Sequence, residues 1–209
     1  MVTRVVVLLS GRGSNFEAIV AAHLPIEIVA VISNQPTAPG LEYATAQGLH
    51  AVAVDHTHYP SREDFDARLA DEIERYAPDL VVLAGYMRIL SAAFIARFEG
   101  RLLNIHPSLL PAFPGLKTHQ RALVEGVKIH GCTVHFVTAQ LDHGPIVIQA
   151  AVPVLPDDTA ATLAARVLQQ EHRIYPQAIR WFAENRLIKI DDRVNLCGIT
   201  ASQAVFPDF

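Results

Sequence analysis

The chain has 209 residues, 51% of them apolar and 18% charged, with a formal net charge of −4 and an isoelectric point near 6.2. That length predicts one domain, residues 1–209, with a sizeable core, and the composition excludes a disordered chain. The acidic balance offers no basic stripe for nucleic acid, no apolar run reaches the roughly 20 residues of a membrane span, and the two distant cysteines, Cys132 and Cys197, argue against a disulfide framework or zinc ribbon.

Residues 4–10 form a β-branched apolar run, the pattern of a strand buried on both faces of a parallel sheet. Gly11-Arg12-Gly13-Ser14-Asn15 follows, and 16–22 reads as a helix. A strand, a glycine loop and a helix together offer free backbone N–H groups to a phosphate, with Gly11 and Gly13 allowing backbone conformations that a side chain would block. The dinucleotide pattern fails at Phe16 and no Walker motif is present, so the stretch fits a single phosphate. A plain tight turn with Ser14 capping the helix is the alternative. Strands are expected at 26–33 and 51–54, with a helix over 41–47 between them. His56 and His58 lie in a polar loop with no third ligand nearby, which fits a solvated loop rather than a metal site.

Ser61 reads as an N-cap, and Phe65, Leu69 and Ile73 mark the core face of a helix ending near Tyr76. Residues 80–84 form a fourth buried strand. The turn 85–90 carries Tyr86, Met87, Ile89 and Leu90, either as core packing or as the wall of a ligand pocket, and Ser91 caps the next helix. Repeated strand–helix units predict a doubly wound, mostly parallel α/β sheet with a Rossmann-like N-terminal half. Such sheets bind ligands at the carboxyl ends of strands where the strand order reverses.

Leu102-Leu103-Asn104-Ile105-His106 is a fifth strand, ended by Pro107, which has no N–H for a sheet ladder. Alternation puts Asn104 and His106 on one face, about 7 Å apart. The amide can hold a carbonyl oxygen and the imidazole can exchange protons near neutral pH. A loop cap and a hydrogen-bonded core histidine would be the bland equivalents. A helix is expected over 118–125, then strands at 131–137 and 146–154, the latter pair bringing an antiparallel strand into the C-terminal half. Between them, Asp142 either caps its own turn or, if the hairpin folds back, meets His106 and favours its protonated form. In 160–182 an apolar face recurs, with Pro176 expected to kink or divide the helix at Tyr175. Glu171 and His172 would be a solvated face. One short strand is expected around 187–190.

The segment Asn104-Ile105-His106-Pro107-Ser108-Leu109-Leu110-Pro111, with Leu141-Asp142 downstream, resembles the folate-dependent formyltransferase family. Ser10-Gly11-Arg12-Gly13-Ser14-Asn15 and Ala84-Gly85-Tyr86-Met87-Arg88-Ile89-Leu90 narrow the likeness to members that formylate phosphoribosylglycinamide in purine synthesis. The resemblance implies 10-formyltetrahydrofolate as donor co-substrate, no metal, and Asn104, His106 and Asp142 as the catalytic group. Gly13, Ser14 and Asn15 would hold the substrate phosphate, and Glu171 the ribose hydroxyls. Arg62, Met87, Arg88, Ile89, Leu90, Asn104, Thr138, Ala139, Gln140, Leu141 and Asp142 would enclose the folate. It implies small-molecule partners, no nucleic acid or membrane, a cytoplasmic location, and a monomer or homodimer. Two positions depart from the pattern. His143 stands where a small residue is common, and Leu168 where some members place a lysine. Within the superfamily, a formyltetrahydrofolate deformylase is expected to carry an extra N-terminal domain, and a methionyl-tRNA formyltransferase an extra C-terminal one. A non-catalytic phosphate-binding module would lack one of the three catalytic residues.

Overall fold

The computed structural model describes residues 2–198 and 202–206. The fold is α/β, with a mostly parallel sheet, flanking helices and antiparallel strands toward the C-terminus, as the sequence pattern predicts. Two compact units are distinguished, Met1–Asn104 with Val137–Ala139, and Ile105–Phe136 with Gln140–Phe209.

In the first unit the strands are β1 (Thr3–Leu9), β2 (Ile26–Ser33), β3 (Ala51–Ala53), β4 (Leu80–Leu83) and the start of β5 (Leu102–His106). They pair in parallel in the order β3-β2-β1-β4-β5. Parallel neighbours need long crossovers, supplied here by α1 (Ser14–Ala21), α2 (Pro39–Ala46), α3 (Arg62–Glu74) and α4 (Ala92–Arg97). The chain runs outward from β1 to β3 and then returns to β4, so the order reverses between β1 and β4. Val5 to Leu9 are fully buried, which is why this run carries no polar alternation.

The caps follow the sequence. Ser61 Oγ accepts from Asp64 N at 3.0 Å and Ser91 Oγ from Phe94 N at 3.3 Å. Phe65, Leu69 and Ile73 are fully buried beside Val6, Leu8 and Phe94, and burying such side chains stabilises by about 1.5–3 kcal/mol each. Two details differ. Pro39 opens α2, where its fixed φ and missing N–H suit the first helical position. The 55–60 loop contains a turn of 3₁₀ helix at His56–His58, capped by Asp55.

In the second unit β6 (Ile129–Phe136) and β7 (Ile146–Pro153) are antiparallel, and β10 (Ala204–Val205) pairs in parallel with β7. Helices α5 (Thr118–Glu125) and α6 (Ala160–Ala183) complete it, α6 packing on β6 and β7. Thr159 begins α6 with a reciprocal capping box to Thr162. Asp158 pairs with Arg166 at 2.6 Å, and that bond holds its carboxyl well below the usual carboxylate range.

Pro176 does not divide α6, which continues through it for 24 residues. One backbone bond is lost, but Ile174, Tyr175, Ala178 and Ile179 on either side are buried, and that packing offsets it. The strand expected near 187–190 is β8 (Leu187–Ile190), but it is half of a hairpin with β9 (Arg193–Leu196). No helix among the described residues is long and apolar enough to cross a membrane.

Candidate active site

In the first unit, the loop after β1 meets the loop after β4. Ser10 Oγ donates to Asn34 Oδ1 at 2.6 Å and accepts from Met87 N at 2.8 Å, and Ser10 N donates to the Gly85 carbonyl at 3.2 Å. Residues 10–15 with Ala84, Gly85 and Met87 line a cavity of about 250 Å³, at the strand-order reversal where open α/β sheets take ligands. Ser14 is not the cap of α1. Gly13 occupies that position in the left-handed region at φ 76° and, having no side chain, makes no side-chain cap. Gly11 is also not the residue that the packing demands, since a Cβ there would meet nothing within 4 Å. The demanding position is Gly40, whose Cβ would lie 2.7 Å from Leu9 Cδ2 and 3.0 Å from the Gly11 and Arg12 carbonyls. Gly40 N donates to the Gly11 carbonyl, so α2 braces the loop from behind.

The turn 85–90 is both core and wall. Tyr86 and Leu90 are buried, whereas Met87 is 69% and Ile89 58% exposed. The Arg88 guanidinium lies 5.0 Å from the centre of the Phe65 ring. Asp66, almost fully buried, accepts from Ser91 N at 2.6 Å. Burial, then the charge of Asp66, pushes the Tyr86 hydroxyl well above its ordinary range. Arg62 is exposed on the first turn of α3 and pairs with Glu63 at 3.0 Å, an arrangement of little energetic weight. Thr138 is half-buried and Ala139 exposed.

In the second unit, His106 ends β5 and is only 6% exposed. Its Nε2 donates to the Phe113 carbonyl at 3.0 Å and its Nδ1 stands 3.5 Å from Asp142 Oδ2. Both ring nitrogens therefore face acceptors, an arrangement that suits an imidazolium. Asp142 does more than cap its turn. It reaches His106 from a left-handed backbone position (φ 51°), and its Oδ2 is fixed by Gly115 N at 2.8 Å. Asn104 is half-buried, two residues earlier on the same strand and so on the same face as His106. Gln140, Leu141 and His143 are exposed. Glu171 is not on a solvated helix face. It is 8% exposed within α6, with Leu168 half-buried a turn earlier.

Further histidines surround His106 that sequence reasoning did not single out. His130 is 1% exposed, with its Nε2 3.2 Å from His119 Nδ1. Burial first, then the charges of His119 and His106, pushes His130 down to about 4. His119 is lowered by burial and then by His106, and His135 by burial. Burial thus disfavours the charged form of these three rings, and it is His106 that pairs with the Asp142 carboxylate. Periodicity could not have revealed this, since the pairing joins α5 to β6. No group of three or more His, Cys, Asp or Glu residues suited to a metal occurs among the described residues.

Comparison with known proteins gives the family. A family model described as formyl transferase matches residues 3–179. The chain is 51% identical over 187 residues to phosphoribosylglycinamide formyltransferase of Escherichia coli strain K12, covering 88% of each. It is 46% identical over 182 residues to the trifunctional purine biosynthetic protein adenosine-3 of Drosophila melanogaster, 84% of this chain and 14% of that longer one. Among solved structures, glycinamide ribonucleotide transformylase 1 of Symbiobacterium toebii superposes with a TM-score of 0.91 at 51% identity, over 93% of this chain and 94% of that one.

Proposed function

The chain belongs to the formyl transferase family, and from that premise we propose that it transfers the formyl group of 10-formyltetrahydrofolate to the glycinamide amine of phosphoribosylglycinamide, in purine synthesis. The observation that carries the chemistry is His106, enclosed, with Nδ1 toward an anchored carboxylate and Nε2 on a carbonyl.

The glycinamide amine attacks the formyl carbon. A C–N bond forms and the carbonyl oxygen becomes anionic in a tetrahedral intermediate. The Asn104 amide donates to that oxygen, and so does the His106 ring once its Nε2–H exchanges the Phe113 carbonyl for it, each such donor being worth about 3 kcal/mol. Asp142 holds the His106 ring at Nδ1 and assists transfer of the amine's proton to the departing folate nitrogen as the old C–N bond breaks. The first-turn N–H groups at Gly13, Ser14 and Asn15 bind the phosphate, and Glu171 the ribose hydroxyls. The flat pterin needs apolar walls and main-chain donors, a requirement that the exposed Met87 and Ile89 fit, with Arg62, Arg88, Leu90 and residues 138–142 completing the folate site. The chain acts in the cytoplasm on small molecules, as one 209-residue domain.

The test compares consumption of 10-formyltetrahydrofolate with and without phosphoribosylglycinamide, with the product weighed by mass spectrometry. Consumption that requires the ribonucleotide and yields its formylated form supports the reading. Equal consumption without it makes the protein a deformylase, and none in either tube, with the protein folded, rejects both activities.

A further inference from the structure

The loop that leaves His106 is gripped by side chains that the reaction does not use. Ser108 N donates to the His106 carbonyl at 2.9 Å, and Ser108 Oγ to the Ala112 carbonyl at 2.6 Å. From β6, Thr133 Oγ1 donates to the Ser108 carbonyl at 2.7 Å and accepts from Leu110 N at 3.0 Å. From β7, Gln149 Nε2 donates to the Leu110 carbonyl and to Thr133 Oγ1, each at 2.9 Å. Thr133 and Gln149 are direct cross-strand partners, which puts both side chains on one face. A hydroxyl has one proton and two lone pairs. Thr133 spends all three on Ser108, Leu110 and Gln149, so Gln149 fixes the direction in which the threonine donates.

The contact is close as well as saturated. Thr133 and Ser108 are fully buried. A Cβ on neighbouring Gly131 would come within 2.9 Å of Leu109 Cδ2, so the loop lies directly on β6. Gln149 is itself held, its N–H donating to the Gln203 carbonyl at 3.0 Å. The orientation of the His106 ring depends on both ends of this loop, because the ring hangs from one end and its Nε2 donates to Phe113, one residue beyond Ala112, at the other.

We propose that Gln149 is a positioning residue for formyl transfer. Acting through Thr133 and the Leu110 carbonyl, it fixes the loop that aims His106. The proposal rests on the function proposed above. Its test uses the full chain, three single variants, Gln149→Met, Thr133→Val and Thr133→Ser, and the double variant Gln149→Met/Thr133→Val, with turnover, KM for both substrates, and the ¹H–¹⁵N resonances of the His106 ring without substrate. Gln149→Met keeps the side-chain volume and removes the donors. Turnover is expected to fall about tenfold to a hundredfold, the range that small misplacements of a reacting group produce, with KM changed by less than about twofold. The His106 resonances shift. Thr133→Val behaves alike, Thr133→Ser keeps the wild-type values, and the double variant is no worse than the poorer single one, as expected of residues acting as a unit.

Wild-type turnover in Gln149→Met, a loss confined to KM, an equal loss in Thr133→Ser, or unmoved His106 resonances would each overturn the proposal. If Gln149→Met does not fold, the Thr133→Val and Thr133→Ser pair decides it. A wild-type protein that transfers no formyl group defeats the proposed function independently, while the His106 resonances of the variants still show whether the clamp aims the ring.

Discussion

Two loops of this molecule are held in opposite ways. The loop after His106 is stitched to β6 and β7 along its length, with Ser108, Thr133 and Gln149 each bonding its main chain. The turn 85–90 is held by buried Tyr86 and Leu90 and by two side-chain bonds to main chain, Ser10 taking Met87 N and Asp66 taking Ser91 N, while the side chains of Met87 and Ile89 stand exposed. A group that aims a proton must not move by a fraction of an ångström. A wall that closes on a flat ligand works with side chains that can adapt, as unbranched methionine does. Under the proposed function the first loop would serve turnover and the second affinity, and each difference can be broken separately.

The largest effect is expected at His106. His106→Ala should lower turnover by about two to four orders of magnitude, the usual worth of a positioned acid–base group. Its circular dichroism should stay that of the wild type, because Ser108, Thr133 and Gln149 still hold the loop's main chain when the ring and its bond to the Phe113 carbonyl are gone. Near-normal turnover in the stopped assay would remove His106 from the chemistry and with it the rationale for the rigid loop.

A second expected effect is on stability and depends on pH. His130 titrates near 4 in the folded chain because burial opposes its charge, against about 6.5 in an unfolded one. The unfolded state therefore binds its proton first. The stability that His130 contributes is complete above about pH 6.5 and is lost as pH falls toward 4, by on the order of 3 kcal/mol once both states are protonated. His119 and His106 are the titrating neighbours, and their charges add to the effect. Thermal melts at pH 7 and pH 4.5 should show the wild type losing more than His130→Gln does. Equal losses would mean that the buried ring is not what makes this unit acid-sensitive.

The legible and illegible parts of the chain divide along similar lines. Strands β1, β2 and β4 could be read because each is an apolar run rich in β-branched residues, β4 and most of β1 being buried on both faces, and Ser61 and Ser91 because a cap acts within three residues. The Asn104/His106 pair was legible because strand alternation is local. Gln149 was not, since its partner Leu110 lies 39 residues away and nothing in an apolar β7 distinguishes that glutamine from a solvent-facing one. Gly40 escaped for the same reason, its constraint being the Gly11 and Arg12 carbonyls rather than its own backbone. Of the two outcomes expected at Pro176, division of the helix did not occur, because burial on either side outweighed the local rule against helical proline. Asp142 is intermediate. Its type and spacing suggested two roles, and only the folded hairpin brings it 3.5 Å from His106.

The smallest effect sharpens the comparison most. Asp66 is buried on α3 and anchors the far end of the 85–90 turn through Ser91 N. Asp66→Ala leaves that N–H unsatisfied, a cost of about 1–3 kcal/mol, which should appear as a fall of several degrees in Tm. Because Asp66 anchors the turn and not a reacting group, loosening that end should raise KM for 10-formyltetrahydrofolate several-fold while turnover at saturation stays within about twofold. That is the reverse of the split expected for Gln149→Met. Asp66→Asn keeps an oxygen for Ser91 N and should recover most of both losses. If Asp66→Ala instead lowers turnover with KM unchanged, the turn is aiming a reacting group as the His106 loop does, and the division between an aimed loop and an adaptable one fails.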